Sequence, residues 1–202
     1  MILGAFGLFM LSSVTAAFAP EPPAAVSDDG LLGLVVYEVF ILMALGAFLA
    51  MRGWRMADFG MTPTFKDTGI GYLLAAACYA AYIAAWTIVS LYVPADTDLQ
   101  VSADLRASTV VMLSLVNPVF EELFVCGYLI NALKKRRSVV FAINVSVAVR
   151  LAYHLYQGPL AVLHIVPMGL IFGYWFARTG RLWPLVVGHA LLDFLALWPY
   201  VE

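Results

Sequence analysis

The chain has 202 residues, of which 63% are hydrophobic and only 12% charged, with a formal net charge of −2. Soluble domains carry about 25% charged residues, so this composition excludes an ordinary soluble globule. No basic stripe suggests nucleic acid as a partner. The alternating strands of an outer-membrane barrel are not evident. Helical spans need about 20 apolar residues each. The expectation is an all-α, polytopic transmembrane helical bundle forming a single membrane-embedded domain, 1–202.

In chain order, residues 1–19 are apolar and uncharged. They lack a basic leader, yet "AAFAP" resembles a cleavage site, so the segment reads as a first helix or as a signal peptide. The retained helix is the preferred reading. "PEPPAAVSDDG" (20–30) is an acidic, proline-rich loop. A second span covers about 31–51. "MRGWRMADFGMTPTFKD" (51–67) is a basic-flanked connector to a third span, about 69–93. A second acidic loop, "PADTDLQVSAD" (94–104), follows. The fourth span, about 106–133, carries "FEELFVCGYL" and ends at "KKRR" (134–137). Three more spans cover about 138–157, 159–177 and 182–199. That makes about seven spans, or six if the first segment is cleaved. The motif-bearing core is about 106–199. The protein is expected to be integral and multi-pass, in the plasma membrane if the host is a prokaryote.

The charges orient this bundle. By the positive-inside rule Lys134, Lys135, Arg136 and Arg137 are cytoplasmic. Counting spans puts Arg52, Arg55, Lys66, Arg178 and Arg181 on the same side. Glu21, Asp28, Asp29, Asp96, Asp98 and Asp104 fall on the other. Arg106 and the intramembrane Arg150 do not follow the pattern.

Inside the spans remain Glu38, Glu121, Glu122, Arg150, His154, His164, His189 and Asp193. A charge at the bilayer centre costs at least about 2.5–3.5 kcal/mol, so such groups must pair, protonate or line a wet cavity. At about 1.5 Å per residue, Glu122 lies roughly 18 Å from the basic end of its helix and His154 roughly 25 Å from its own. His189 and Asp193 lie roughly 12–18 Å in. Three helices therefore hold polar groups at overlapping depths, which predicts one shared cavity. Arg150 and His154 are i,i+4 and share a face, as do His189 and Asp193. Glu121 and Glu122 point about 100° apart, so they serve different purposes. His164 falls near the outer end of its span. Glu38 reads as an interfacial or helix-pairing residue. Cys78 and Cys126 lie in apolar segments without metal-like spacing, and Cys126 reads as a small packing residue.

A desolvated glutamate beside a histidine can activate water. Peptide hydrolysis also needs donors aimed at the developing oxyanion, and His189 could supply one. No HExxH occurs and no serine sits in a nucleophile elbow. No cofactor is required by this chemistry, although His154, His189 and a carboxylate could meet around a metal in space.

The stretches "NPVFEELFVCGYL", "RLAYHLYQG" and "GRLWPLVVGHALLDFLAL" resemble the successive motifs of the CPBP (Abi) family, the CAAX-processing and bacteriocin-processing endopeptidases. The resemblance covers roughly 116–198; "WRMADFGM" is similar to the family's segment before a span. It implies an intramembrane glutamic endopeptidase. Glu121 with His154 would activate water, Glu122 would support them, and His189 with residue 193 would stabilise the oxyanion. The substrate would be a peptide or protein, lipidated or membrane-associated, met among membrane lipids. Two departures stand out. Cys126 occupies a place where the family usually has arginine, and Arg150 one that is often phenylalanine, so Arg150 is expected to supply the missing charge from the neighbouring helix. Asp193 stands where many members carry asparagine, and an ionised aspartate cannot donate a hydrogen bond. The alternatives are a non-catalytic immunity or scaffold protein on the same fold and a proton-coupled transporter.

Overall fold

The computed structural model describes residues 2–19, 25–53, 55–92, 101 and 104–202. Glu21, Asp96 and Asp98 lie outside the described residues. Seven helices account for most of what is described: α1 (Ile2–Ala17), α2 (Asp28–Met51), α3 (Phe65–Val89), α4 (Ala107–Leu133), α5 (Val139–His154), α6 (Val162–Thr179) and α7 (Trp183–Leu197). Short 3-10 turns, including Met56–Phe59, Leu155–Gln157 and Pro159–Ala161, fill the joints. The all-α polytopic bundle read from the composition is the observed architecture. Five helices, α2 to α6, are long and apolar enough to cross a membrane, whereas α1 and α7 are shorter.

Local chemistry sets the helix ends. Ser27, Thr64 and Ser138 begin α2, α3 and α5, each accepting a hydrogen bond from the backbone N–H three residues on, which satisfies one orphan donor per helix. Asp28 and Asp29 add negative charge to the first turn of α2, where the helix dipole favours it. Gly180 ends α6 in the left-handed conformation, φ 65°. Pro184 sits in the first turn of α7, where its missing N–H costs nothing.

Packing places α4 at the centre. Two-thirds of its most apolar window is buried, against 11% for α2 and α3. It touches α2 and α7, while α5 packs on α6 and α1, and α3 packs on α7 and α6. In lipid, helix association relies on close backbone approach at small residues. Gly71 of α3 and Gly188 of α7 provide it: a Cβ built on Gly188 would lie 2.9 Å from the Gly71 carbonyl oxygen. Gly169 and Gly173 of α6 meet Val147 and Ile143 of α5 in the same way.

The bundle has two chemically distinct ends. At one, Arg181 pairs with the buried Asp67, Leu182 and Trp183 donate to the Gly60 carbonyl, and Lys134 lies over the Phe176 ring. Every Lys and Arg except Arg106 and Arg150 belongs to the loops and helix ends gathered here. At the other end Arg106 binds Asp28 through its backbone N–H and its guanidinium, and Leu105 bridges to Val201. Among the described residues the opposition of basic and acidic ends read from the sequence is present, and Arg106 finds its place beside Asp28 and Asp29.

Candidate functional site

The site starts from a distortion in α4. Its first part, Ala107–Glu122, is α-helical, but Leu123–Ile130 is wound as a π-helix. The wider turns displace carbonyls from their usual donors. Side chains meet two of them: the Ser146 hydroxyl donates to Val125 O at 3.0 Å and the Asn131 amide to Gly127 O at 2.7 Å. Pro118, one turn before the glutamates, contributes no N–H to the ladder. The Glu pair thus sits where the helix changes its winding.

From that joint the two carboxylates go separate ways. Glu122 is fully buried. Its Oε2 accepts from Arg150 Nη2 at 2.9 Å and its Oε1 pairs with His189 Nδ1 at 2.8 Å. Glu121 turns its Oε2 to Arg150 Nη1 at 3.2 Å and to the Tyr153 hydroxyl at 2.7 Å. Its Oε1 faces His154 Nε2 across 3.9 Å. Arg150 is 0% exposed and its Nη2 also lies 4.0 Å from Cys126 Sγ. The guanidinium from α5 therefore lies beside position 126, as expected from the exchange of residue types.

The histidines are held in definite orientations. His154 Nδ1 lies 2.9 Å from Arg150 O. A carbonyl only accepts, so Nδ1 carries the proton and a neutral ring offers the Nε2 lone pair to Glu121. His189 Nδ1 donates to the Glu122 carboxylate, and its Nε2 lies 3.4 Å from Asp193 Oδ1. Tyr153 is fixed from behind by Phe6 of α1, the rings stacked with centroids 4.6 Å apart.

A cavity of about 340 Å³ reaches this cluster. Glu121, His154, Tyr153, Asn117, Glu38 and Tyr156 are among its lining. Glu122, Arg150 and His189 lie behind them, almost without exposure. Two lining residues were not assigned to the site by sequence reasoning. Glu38 was placed at an interface or helix contact; it is 1% exposed, and its Oε2 has no hydrogen-bond partner. Asn117 donates from Nδ2 to Asp193 Oδ2 at 3.0 Å, leaving its second N–H for the cavity. An isolated amide in the greasy "SLVNPVF" was the only signal for it. His164 stays apart, beside Gln157 and Tyr82. Among the described residues no group of three or more His, Cys, Asp or Glu is arranged to hold a metal ion.

The arrangement joins two acceptors, Glu121 Oε1 and His154 Nε2, across a gap that a water can bridge with hydrogen bonds of about 2.8 Å. Beneath them lies a closed, charge-paired support. Residues 104–195, a little under half of the chain, match the family model described as Type II CAAX prenyl endopeptidase Rce1-like. No curated protein and no solved structure matches the chain.

Proposed function

Because residues 104–195 carry an Rce1-like domain, of a family of CAAX-type proteases, we propose that this integral membrane protein is a glutamic endopeptidase. The observation that carries the reading is the facing pair Glu121 Oε1 and His154 Nε2, 3.9 Å apart on the cavity wall. A water held between two acceptors donates a hydrogen bond to each and turns a lone pair outward. That lone pair attacks the peptide carbonyl carbon. Glu121 or His154 takes the proton released and later delivers it to the departing amine, so the pair ends as it began.

The surrounding groups serve that step. Glu122, Arg150 and His189 form a buried chain of charge-assisted hydrogen bonds that fixes both active groups. Arg150 joins the two glutamates and Tyr153 locks the second oxygen of Glu121, so only Oε1 is turned to the water. The developing oxyanion needs a donor. Asp193 is already accepting from Asn117 and faces His189. The second N–H of Asn117, whose amide is held by Asp193, is a donor on the cavity wall that can serve this purpose. The amide thus comes from α4, while position 193 orients it.

Comparing new protein termini in cells carrying the wild type or Glu121→Gln tests this. Termini present with the wild type and absent with the variant, with both proteins inserted equally, are expected. Losing the base costs about 10²–10⁴-fold in rate. Equal hydrolysis by the two purified proteins would end the assignment.

A further inference from the structure

Among the described residues, the exposed part of the cavity's lining lies at one end of the bundle, and which end that is decides what can enter. Its rim is formed by Ser12 near the end of α1 and by Ala25, Ser27 and Gly30 before and at the start of α2, all exposed. Phe9, Leu34 and Tyr156 form the walls, and Glu38, Asn117 and Glu121 the floor. These rim residues belong to the end of the bundle where Asp28 and Arg106 meet. The basic loops lie at the opposite end.

Between the floor and the basic loops the bundle is solid. Cys126, Ile130, Ala142, Phe172, Leu182 and Leu185 are all 0% exposed and belong to one continuous apolar cluster. Gly127 lies against Leu182, and Gly173 against Ile130 and Ile143. Protein interiors packed in this way leave no path for a chain. Arg150, also 0% exposed, sits above this layer and below Glu121.

The distribution of basic residues fixes the membrane orientation. Lys134, Lys135, Arg136, Arg137, Arg52, Arg55, Lys66, Arg178 and Arg181 all occupy short loops and helix ends at the sealed end. Short loops rich in Lys and Arg remain in the cytoplasm. From the open acidic end, the closed basic end and this rule, we infer that the site is served from the extracytoplasmic face, and that its substrate is a polypeptide segment presented on that side of the membrane. The inference rests on the proposed protease activity only for the word substrate; the direction of access stands on the cavity and the charges.

Site-directed labelling tests it without any substrate. Cys78 and Cys126 are buried, so the wild type supplies an unreactive background. Single cysteines are placed by Ala25→Cys on the rim, Leu34→Cys on the wall and Lys135→Cys in the basic loop. Intact cells are treated with a membrane-impermeant maleimide, before and after permeabilisation. Ala25→Cys and Leu34→Cys are expected to react in intact cells, and Lys135→Cys only after permeabilisation. The opposite pattern overturns the orientation. A Leu34→Cys that stays unreactive in both conditions, while Ala25→Cys reacts, overturns the open cavity. The two proposals fail separately: the labelling needs no hydrolysis, so equal hydrolysis by the wild type and Glu121→Gln would end the protease reading and leave the labelling pattern as it is.

Discussion

Replacing Arg150 by methionine tests the electrostatic keystone of the site. The side chain is 0% exposed and holds Glu121 at 3.2 Å and Glu122 at 2.9 Å. At an effective dielectric constant of about 20, each contact is worth about 5–6 kcal/mol of gross attraction. Desolvation of three buried groups offsets most of that. The Arg150 Nε, buried without a partner, adds to the cost side. What remains is the asymmetry of a broken pair: removing one partner strands the other charges and costs about 3–5 kcal/mol. Arg150→Met is therefore expected to lower stability by that amount, measured by reversible denaturant unfolding in detergent micelles or bicelles. Arg150→Phe should behave alike. Adding Cys126→Arg to Arg150→Phe should recover a large part of the loss, because Cys126 Sγ lies 4.0 Å from the guanidinium it would replace. An Arg150→Met protein within about 1 kcal/mol of the wild type, or a double variant no better than Arg150→Phe, would refute the reasoning.

Other substitutions probe the shell around that centre. Tyr153→Phe removes the 2.7 Å hydrogen bond to Glu121; a loss of about 1.5–3 kcal/mol is expected for a bond to a carboxylate, together with slower hydrolysis as Glu121 gains freedom. Asn117→Ala is expected to reduce kcat by about 10²–10³-fold with little change in KM, the pattern of a lost oxyanion donor; steady-state kinetics on a cleavable peptide found from the new termini decides it. Gly188→Ala drives a methyl group to 2.9 Å from the Gly71 carbonyl and 3.2 Å from the Phe172 ring. It should cost about 1–3 kcal/mol by overpacking and, lying next to His189, reduce activity as well.

Much of this molecule can be read in its sequence because oil tolerates few exceptions. The helices fall where long apolar runs stand between polar loops, and Glu121, Glu122, Arg150, His154, His189 and Asp193 meet because each would be costly alone in lipid. The Arg150 position beside Cys126 was legible from the exchanged residue types. The rotation of α2 was not. Its residues are apolar on all sides, so no pattern shows which way Glu38 faces, and the reading of Glu38 as interfacial gave way to a place in the cavity. The π-helix was equally hidden, since "LFVCGYLI" is apolar throughout and a change of winding shifts no visible stripe. Asn117 escaped notice because an uncharged amide costs less in a span than a charge does. Its role depends on Asp193, 76 positions away.

The wide winding of Leu123–Ile130 makes α4 a rod with two phases. Upstream, the glutamates are set by one phase; downstream, Ile130 and the approach to the basic hairpin are set by another. Each residue of an α-helix advances by about 100° around its axis. Deleting a single residue here would restore even winding for the backbone and, in doing so, turn one half of the rod out of its seat. A substitution in this stretch leaves that phase in place and a change of length does not, so tolerance to insertion or deletion should fall sharply between positions 123 and 130.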